Sequence, residues 1–233
     1  MVICVTPEDI ADRPKVVYGK GYGQQIIGDR KVPTDGPLAH VVRQGAHDVT
    51  PPHFHEVSQF QVFSQGNGLL GRHPILAGLV HYTDGYTPYG PIAAGDQGCT
   101  YYTLRAMFDV SHHMVPEKIE LAKGRRGRQM TAQINMNRVS GEGASVLFER
   151  DDGTAAHRVA AEPGVQLPSV PSRGGCYWLI LSGGLICEDR GCDVESCIWV
   201  GENEHRPPMT SGPVGVIAAV LCFAPKSRAQ STN

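Results

Sequence analysis

Helix signals are scarce in this chain of 233 residues, and long apolar runs are missing altogether. No stretch approaches the roughly 18 apolar residues that a membrane-crossing helix takes. The opening "MVICVTPEDI" lacks the basic-then-apolar order of a secretion signal. A cytoplasmic protein with no membrane partner is therefore expected. Strong charge is missing too: the formal net charge is −2, which recommends neither nucleic acid nor an anionic surface as partner. The one basic run, "KGRRGR" at 123–128, reads as a solvated linker. Cysteine numbers seven, with no Cys-x-x-Cys. An odd count without disulfide-like spacing fits reduced thiols. Cys187, Cys192 and Cys197 accordingly read as core residues rather than as a thiolate metal cluster.

What is present is turn and strand. Hydrophobic residues make up 41% and charged ones 19%, and the 28 glycines and 17 prolines are spread along the chain. Short runs such as "QFQVFSQG", "CTYYTLRAMF", "CYWLILSGG" and "GVIAAVLCFAP" are bounded by Gly, Pro, Asp or Asn, the pattern of an all-β sandwich or barrel. "VPEKIELAKG", 115–124, has the Pro, Glu and Gly order of a short helix, and "EDIADR" reads as another turn of helix. "QVFSQGNGLL" is echoed by "WLILSGGLIC"; setting Gly66 against Gly183 gives an offset of 117 residues. The chain divides on this reading into a unit at 1–114, a helical linker at 115–130, a second unit at 131–226 and a polar tail at 227–233.

The most informative stretch is "PPHFHEVSQFQVFSQGNG", 51–68. If it is one continuous strand, His53, His55 and Gln59 face the same side and Glu56 the other. A helix would splay the two histidines by about 200°, and the double proline resists helix. Two imidazoles on one strand face can share a cation when further ligands come from another strand; two buried polar histidines are the plainer alternative. Five of the eight tyrosines lie between 82 and 102 (Tyr82, Tyr86, Tyr89, Tyr101 and Tyr102), which suits the wall of a small-molecule pocket. Tyr101, Thr103 and Arg105 share a strand face. If that face is inward, Arg105 favours an anion such as a carboxylate; if Tyr102 and Leu104 are inward, Arg105 lies in water.

Gly45, His53, His55, Gln59 and Gly66 resemble the first motif of the cupin superfamily, Gly, His-x-His, Glu and Gly. Gln59 stands where the family has glutamate, and seven residues separate Gly45 from His53 where five is usual. In the second motif, "TDGYTPYG" at 83–90 puts Tyr89 where the family has histidine, while "VGENEHRPP" puts His205 there in the second half, 116 residues on. The resemblance covers 38–107 and 145–224. It implies two cupin-type double-stranded β-helix (jelly-roll) barrels in one chain, all-β with few short helices, and a homodimer. Val170, Ser172 and Cys176 stand opposite His53, His55 and Gln59, so no metal is expected in the second barrel. In the first, the resemblance implies one divalent metal (Fe, Mn, Ni or Zn) on His53 and His55, with Gln59 and His81 as further candidate ligands. The metal-dependent enzyme so implied is of dioxygenase, isomerase, decarboxylase or lyase type, with Gln59, Tyr89 and Arg105 acting on a small-molecule substrate. The competing expectation is a metal-free ligand-binding bicupin, sensor or storage-like.

Overall fold

A computed structural model describes residues 1–137 and 143–226; the polar tail expected at 227–233 lies outside the described residues. The described chain is nearly all β. One four-residue α-helix, Pro7–Ile10, opens on a capping box between Thr6 and Asp9. The segment 115–124 gives a 3-10 turn, Ile119–Ala122, in place of a full helix. None of that turn's residues is buried, and without an apolar face to pack, so short a helix has little to sustain it. Among the described residues no helix is long and apolar enough to cross a membrane.

The chain forms two compact units. The first is Arg13–Ala132. Its main sheet runs, in spatial order, Gln129–Gln133, Leu79–Thr83, Gln59–Leu70, Ile92–Arg105, Leu38–Gln44, Gly21–Ile27 and Lys15–Tyr18. His53–Phe54 pairs separately with His113–Met114, and His53 also bridges to Tyr89. The second unit joins Gln133–Asn233 with Met1–Asp12. Its sheet runs Val2–Val5, Cys197–Val200, Cys176–Cys187, Met209–Cys222, Ala155–Ala161 and Gly143–Glu149. The first twelve residues thus belong with the second barrel, where the sequence placed them in the first. Val2–Val5 pairs with Cys197–Val200, and the Asp9 carboxylate meets Arg190. No local pattern announces a pairing over that separation.

The repeat is visible strand by strand. Leu38–Gln44 and Ala155–Ala161, Gln59–Leu70 and Cys176–Cys187, and Ile92–Arg105 and Met209–Cys222 are each related by 117 residues at both ends. Gly66 and Gly183 both take positive φ, +85° and +69°. At Gly66 a Cβ would lie 2.1 Å from the Gly98 carbonyl oxygen, so a side chain is excluded there. At this offset Tyr89 matches Arg206; His205, one residue short, is exposed.

The two interiors differ in kind. The second barrel is filled by apolar side chains, among them Val159, Trp178, Ile198 and Val220, all at most 1% exposed. All seven cysteines are free thiols, six of them buried, and Cys187, Cys192 and Cys197 pack in that unit as core residues. In the first barrel the corresponding face carries Gln59, Gln61, His81, Thr103 and Arg105, all buried, together with His40, which alone has a buried histidine, His157, as its counterpart. Both barrels share their strands, so this polarity is not something the fold requires.

Candidate functional site

Register decides which side chains meet in the first barrel. Gln59 and Gln61 open the strand Gln59–Leu70, and Thr103 lies opposite Gln61, with Arg105 one residue beyond the Leu104–Phe60 pair. Tyr101, Thr103 and Arg105 therefore share the inner face with Gln59 and Gln61. Of the two orientations open from the sequence, Arg105 takes the inward one, at 2% exposure. Tyr102 and Leu104 are buried as well, because this sheet is covered on both faces.

The continuous strand expected over 53–59 is broken. It stops after His53–Phe54 and resumes at Gln59. The intervening turn is held by the Glu56 amide, which donates to Asp109 Oδ2 at 3.2 Å and Ser111 Oγ at 2.9 Å. His53 and Gln59 nevertheless converge, because Tyr89 reaches both.

The hydrogen bonds there have only one consistent direction. Arginine can only donate, so Arg105 Nε and a terminal nitrogen give to Gln59 Oε1 at 3.1 and 2.9 Å. The Gln59 amide nitrogen then donates to the Tyr89 hydroxyl at 2.7 Å. A carbonyl can only accept, so the His53 proton is on Nδ1, donated to Pro51 O at 2.8 Å. His53 Nε2 is left as a bare acceptor and receives the Tyr89 proton at 2.7 Å. The outcome is a chain, Arg105 to Gln59 to Tyr89 to His53 to Pro51, with every proton assigned. His55 is tied in the same way, Nδ1 to the Ser111 carbonyl.

Burial sets the charge of this cluster. Desolvation lowers His53 to about 4, and pushes His55 down further with help from Arg105 and His53. Desolvation also raises the Tyr89 phenol above its ordinary value. At neutral pH the rings are uncharged hydrogen-bonding groups.

The remaining candidates separate. His81 lies apart from the histidine pair, its ring 5.7 Å from that of Tyr89 and its Nδ1 3.0 Å from Thr131 Oγ1. Burial lowers it to about 4. The tyrosines divide in the same way: Tyr89 is central, Tyr101 packs on Phe63, and Tyr86 lies under the Arg125 guanidinium. The sequence reading passed over His112, whose ring stands 4.5 Å from that of His53 and 5.6 Å from that of His55. The adjacent pair His112 and His113, just past the strand ending at Arg105, was the available signal.

No protein-family model and no curated protein sequence matches the chain. Solved structures do. The bacterial pirin YhhW from Escherichia coli, in complex with nickel(II), aligns over 97% of this chain and 100% of its own, at TM-score 0.62 and 9% identity. Oxalate decarboxylase from Bacillus subtilis aligns over 97% and 76%, at TM-score 0.62 and 13% identity. This chain has the two-barrel cupin fold. At these identities the likeness is one of fold.

The four ligand places expected from the motifs hold His53, His55, Gln59 and Tyr89. Gln59 turns its N–H groups, not its oxygen, toward Tyr89, and Arg105 lies behind it. The Tyr89 hydroxyl occupies the lone pair of His53. Among the described residues no group of three or more His, Cys, Asp or Glu side chains is placed to hold a metal ion. A divalent cation would meet two neutral nitrogens and no anion, so this donor set does not fit a four-ligand cupin metal centre.

The lowered histidines predict a pH dependence. His53 and His81 have folded values near 4 against about 6.5 unfolded. Between these values the unfolded chain binds more protons, so stability rises with pH across that window. It is complete above about pH 6.5 and declines as pH falls toward 4, by on the order of 3 kcal/mol per group. Urea midpoints measured from pH 4 to 8 check this. A flat profile below pH 6.5 contradicts it.

Proposed function

We propose that the first cupin barrel is a metal-free small-molecule binding site, in which His53, Gln59 and Tyr89 act as fixed hydrogen-bonding groups. The closed chain from Arg105 to Pro51 carries this reading. The His53 lone pair already takes the Tyr89 proton and Gln59 turns its N–H groups to Tyr89, and preorganised polar groups are what orients a ligand in a barrel mouth. Neither His53 nor Tyr89 titrates near neutrality, which suits hydrogen bonding better than general acid–base work. Arg105 acts as a positioning residue, fixing which way the Gln59 amide faces.

A second reading keeps the metal-dependent enzyme, of dioxygenase, isomerase, decarboxylase or lyase type, with Fe, Mn, Ni or Zn on His53 and His55. One observation favours it: both imidazoles carry their proton on Nδ1, held by a backbone carbonyl, which leaves Nε2 deprotonated as in metal-ligating histidines, although at His53 the Tyr89 hydroxyl would have to give way.

Elemental analysis of purified protein beside the His53→Ala/His55→Ala variant separates the two. Binding without metal predicts under about a tenth of an equivalent in both. It also predicts an organic molecule released from denatured wild type and absent from Tyr89→Phe. Stoichiometric metal that vanishes in the double variant establishes the enzyme reading instead.

A further inference from the structure

A row of polar side chains crosses the first barrel at one level. Strand register sets His81 opposite Gln61, Gln61 opposite Thr103, and Thr103 opposite His40. His81 Nε2, Gln61 Oε1 and His40 Nδ1 are buried and make no hydrogen bond. Three unpaired polar atoms on one row are costly unless something else satisfies them. The second barrel shows the alternative. At the 117-residue offset, Ile198, Trp178 and Val220 replace His81, Gln61 and Thr103, so three of the four places are apolar or aromatic there, while His40 is matched by His157, also buried. A cavity of about 420 Å³ opens beside the His81 end of the row, lined also by Arg72, His73, Tyr89, Gln129 and Thr131.

We infer that this cavity takes an uncharged, polyhydroxylated small molecule, one of whose hydroxyls bridges His81 Nε2 and Gln61 Oε1. This rests on the reading of the first barrel as a ligand site and adds the ligand's class. The amide orientation is what selects it. The Tyr89 proton goes to His53, so the Tyr89 oxygen accepts from the Gln61 nitrogen at 3.5 Å. Gln61 Oε1 is then the unpaired atom, and it only accepts. A carboxylate could pair with Arg72 at the cavity wall, but at the row it would set its own acceptors against that oxygen and leave it unpaired. An ammonium ion would satisfy it but would bury a second positive charge in a barrel that already holds Arg105. A hydroxyl donates to Gln61 Oε1 and accepts from His81 Nε2–H, the tautomer in which His81 Nδ1 accepts from Thr131 Oγ1. Gln129 and Thr131, uncharged and at the cavity wall, supply further hydroxyl partners.

The test uses the full chain with four probes: myo-inositol and glucose, against succinate and 1,4-diaminobutane. Long-range proton–nitrogen NMR reads the ring nitrogens of His81, and thermal unfolding reads the stabilisation. We expect a neutral polyol to move the His81 Nε2 resonance and to raise Tm by about 3 °C at ten times its Kd. Gln61→Leu and His81→Ile, which copy the apolar character of the second barrel, lose at least about tenfold in that affinity. A response to succinate or 1,4-diaminobutane but to neither polyol overturns the class while leaving the barrel a ligand site. A silent His81 with all four probes, in wild-type protein that still releases an organic molecule on denaturation, overturns the His81 pocket alone. Polyol binding that survives both substitutions also overturns it.

Discussion

If the wild-type first barrel is metal-free, as proposed, the variant Gln59→Glu/Tyr89→His is expected to gain a metal. Tyr89 and Gln59 are the two departures from a cupin ligand set, and they are mutually satisfied: the amide donates to the hydroxyl and the hydroxyl to His53. Replacing both at once removes that chain. It frees His53 Nε2, adds a third imidazole, and supplies the missing anion. Arg105, which now gives two hydrogen bonds to Gln59 Oε1, would hold one carboxylate oxygen and leave the other facing the centre. Three imidazoles and a carboxylate are a competent set for a first-row divalent ion. We expect about one equivalent of nickel or zinc retained through dialysis, against less than about a tenth in wild type. Stoichiometric, His53-dependent metal in the wild type would show that Tyr89 swings aside, and with it the closed-chain reading would fall.

Tyr89→Phe should destabilise the first barrel by about 2–4 kcal/mol, since it leaves two buried groups without partners at about 1–3 kcal/mol each. These are His53 Nε2 and the Gln59 N–H; Gln61, at 3.5 Å, loses a weaker contact. The phenylalanine ring keeps the packing, so the loss reports the hydroxyl. A second consequence has a fixed sign. The Tyr89 hydroxyl donates to the neutral form of His53, so its removal is expected to raise the His53 pKa, while burial, the largest cause of the lowering, still holds it below the ordinary value. Denaturant midpoints and a histidine NMR titration measure the two effects separately. An unchanged midpoint means that the hydroxyl is satisfied by solvent, not by this chain.

Much of this was legible before any coordinates. Two similar runs, each an apolar stretch, a serine and a glycine turn, gave the 117-residue offset, which the strand boundaries repeat and the positive φ of Gly66 and Gly183 explains. Gln59 and Tyr89 stood out because they occupy ligand places with the wrong chemistry, and they prove to be bonded to each other. His81 was harder, because alternation tells which residues share a face but not what lies opposite that face. His112 was missed because it sits beyond the last strand of the motif, on a segment that local pattern describes only as a turn. The row His81, Gln61, Thr103 and His40 is invisible in sequence for another reason. It is assembled across four strands whose register comes from the ladder, not from any run of adjacent residues.

Residues 1–12 bear on how the chain is made. The first barrel is built from one contiguous stretch, Arg13–Ala132. The second begins with Val2–Val5, whose partner strand is Cys197–Val200, separated from it by roughly 200 residues. During synthesis the opening strand is therefore an exposed edge without a mate until almost the whole chain has emerged, while the intervening barrel can already be complete. In topology the polar-lined first barrel is an insertion within its apolar sibling. Joining residue 12 directly to residue 133 would describe the host alone, and 13–132 the guest.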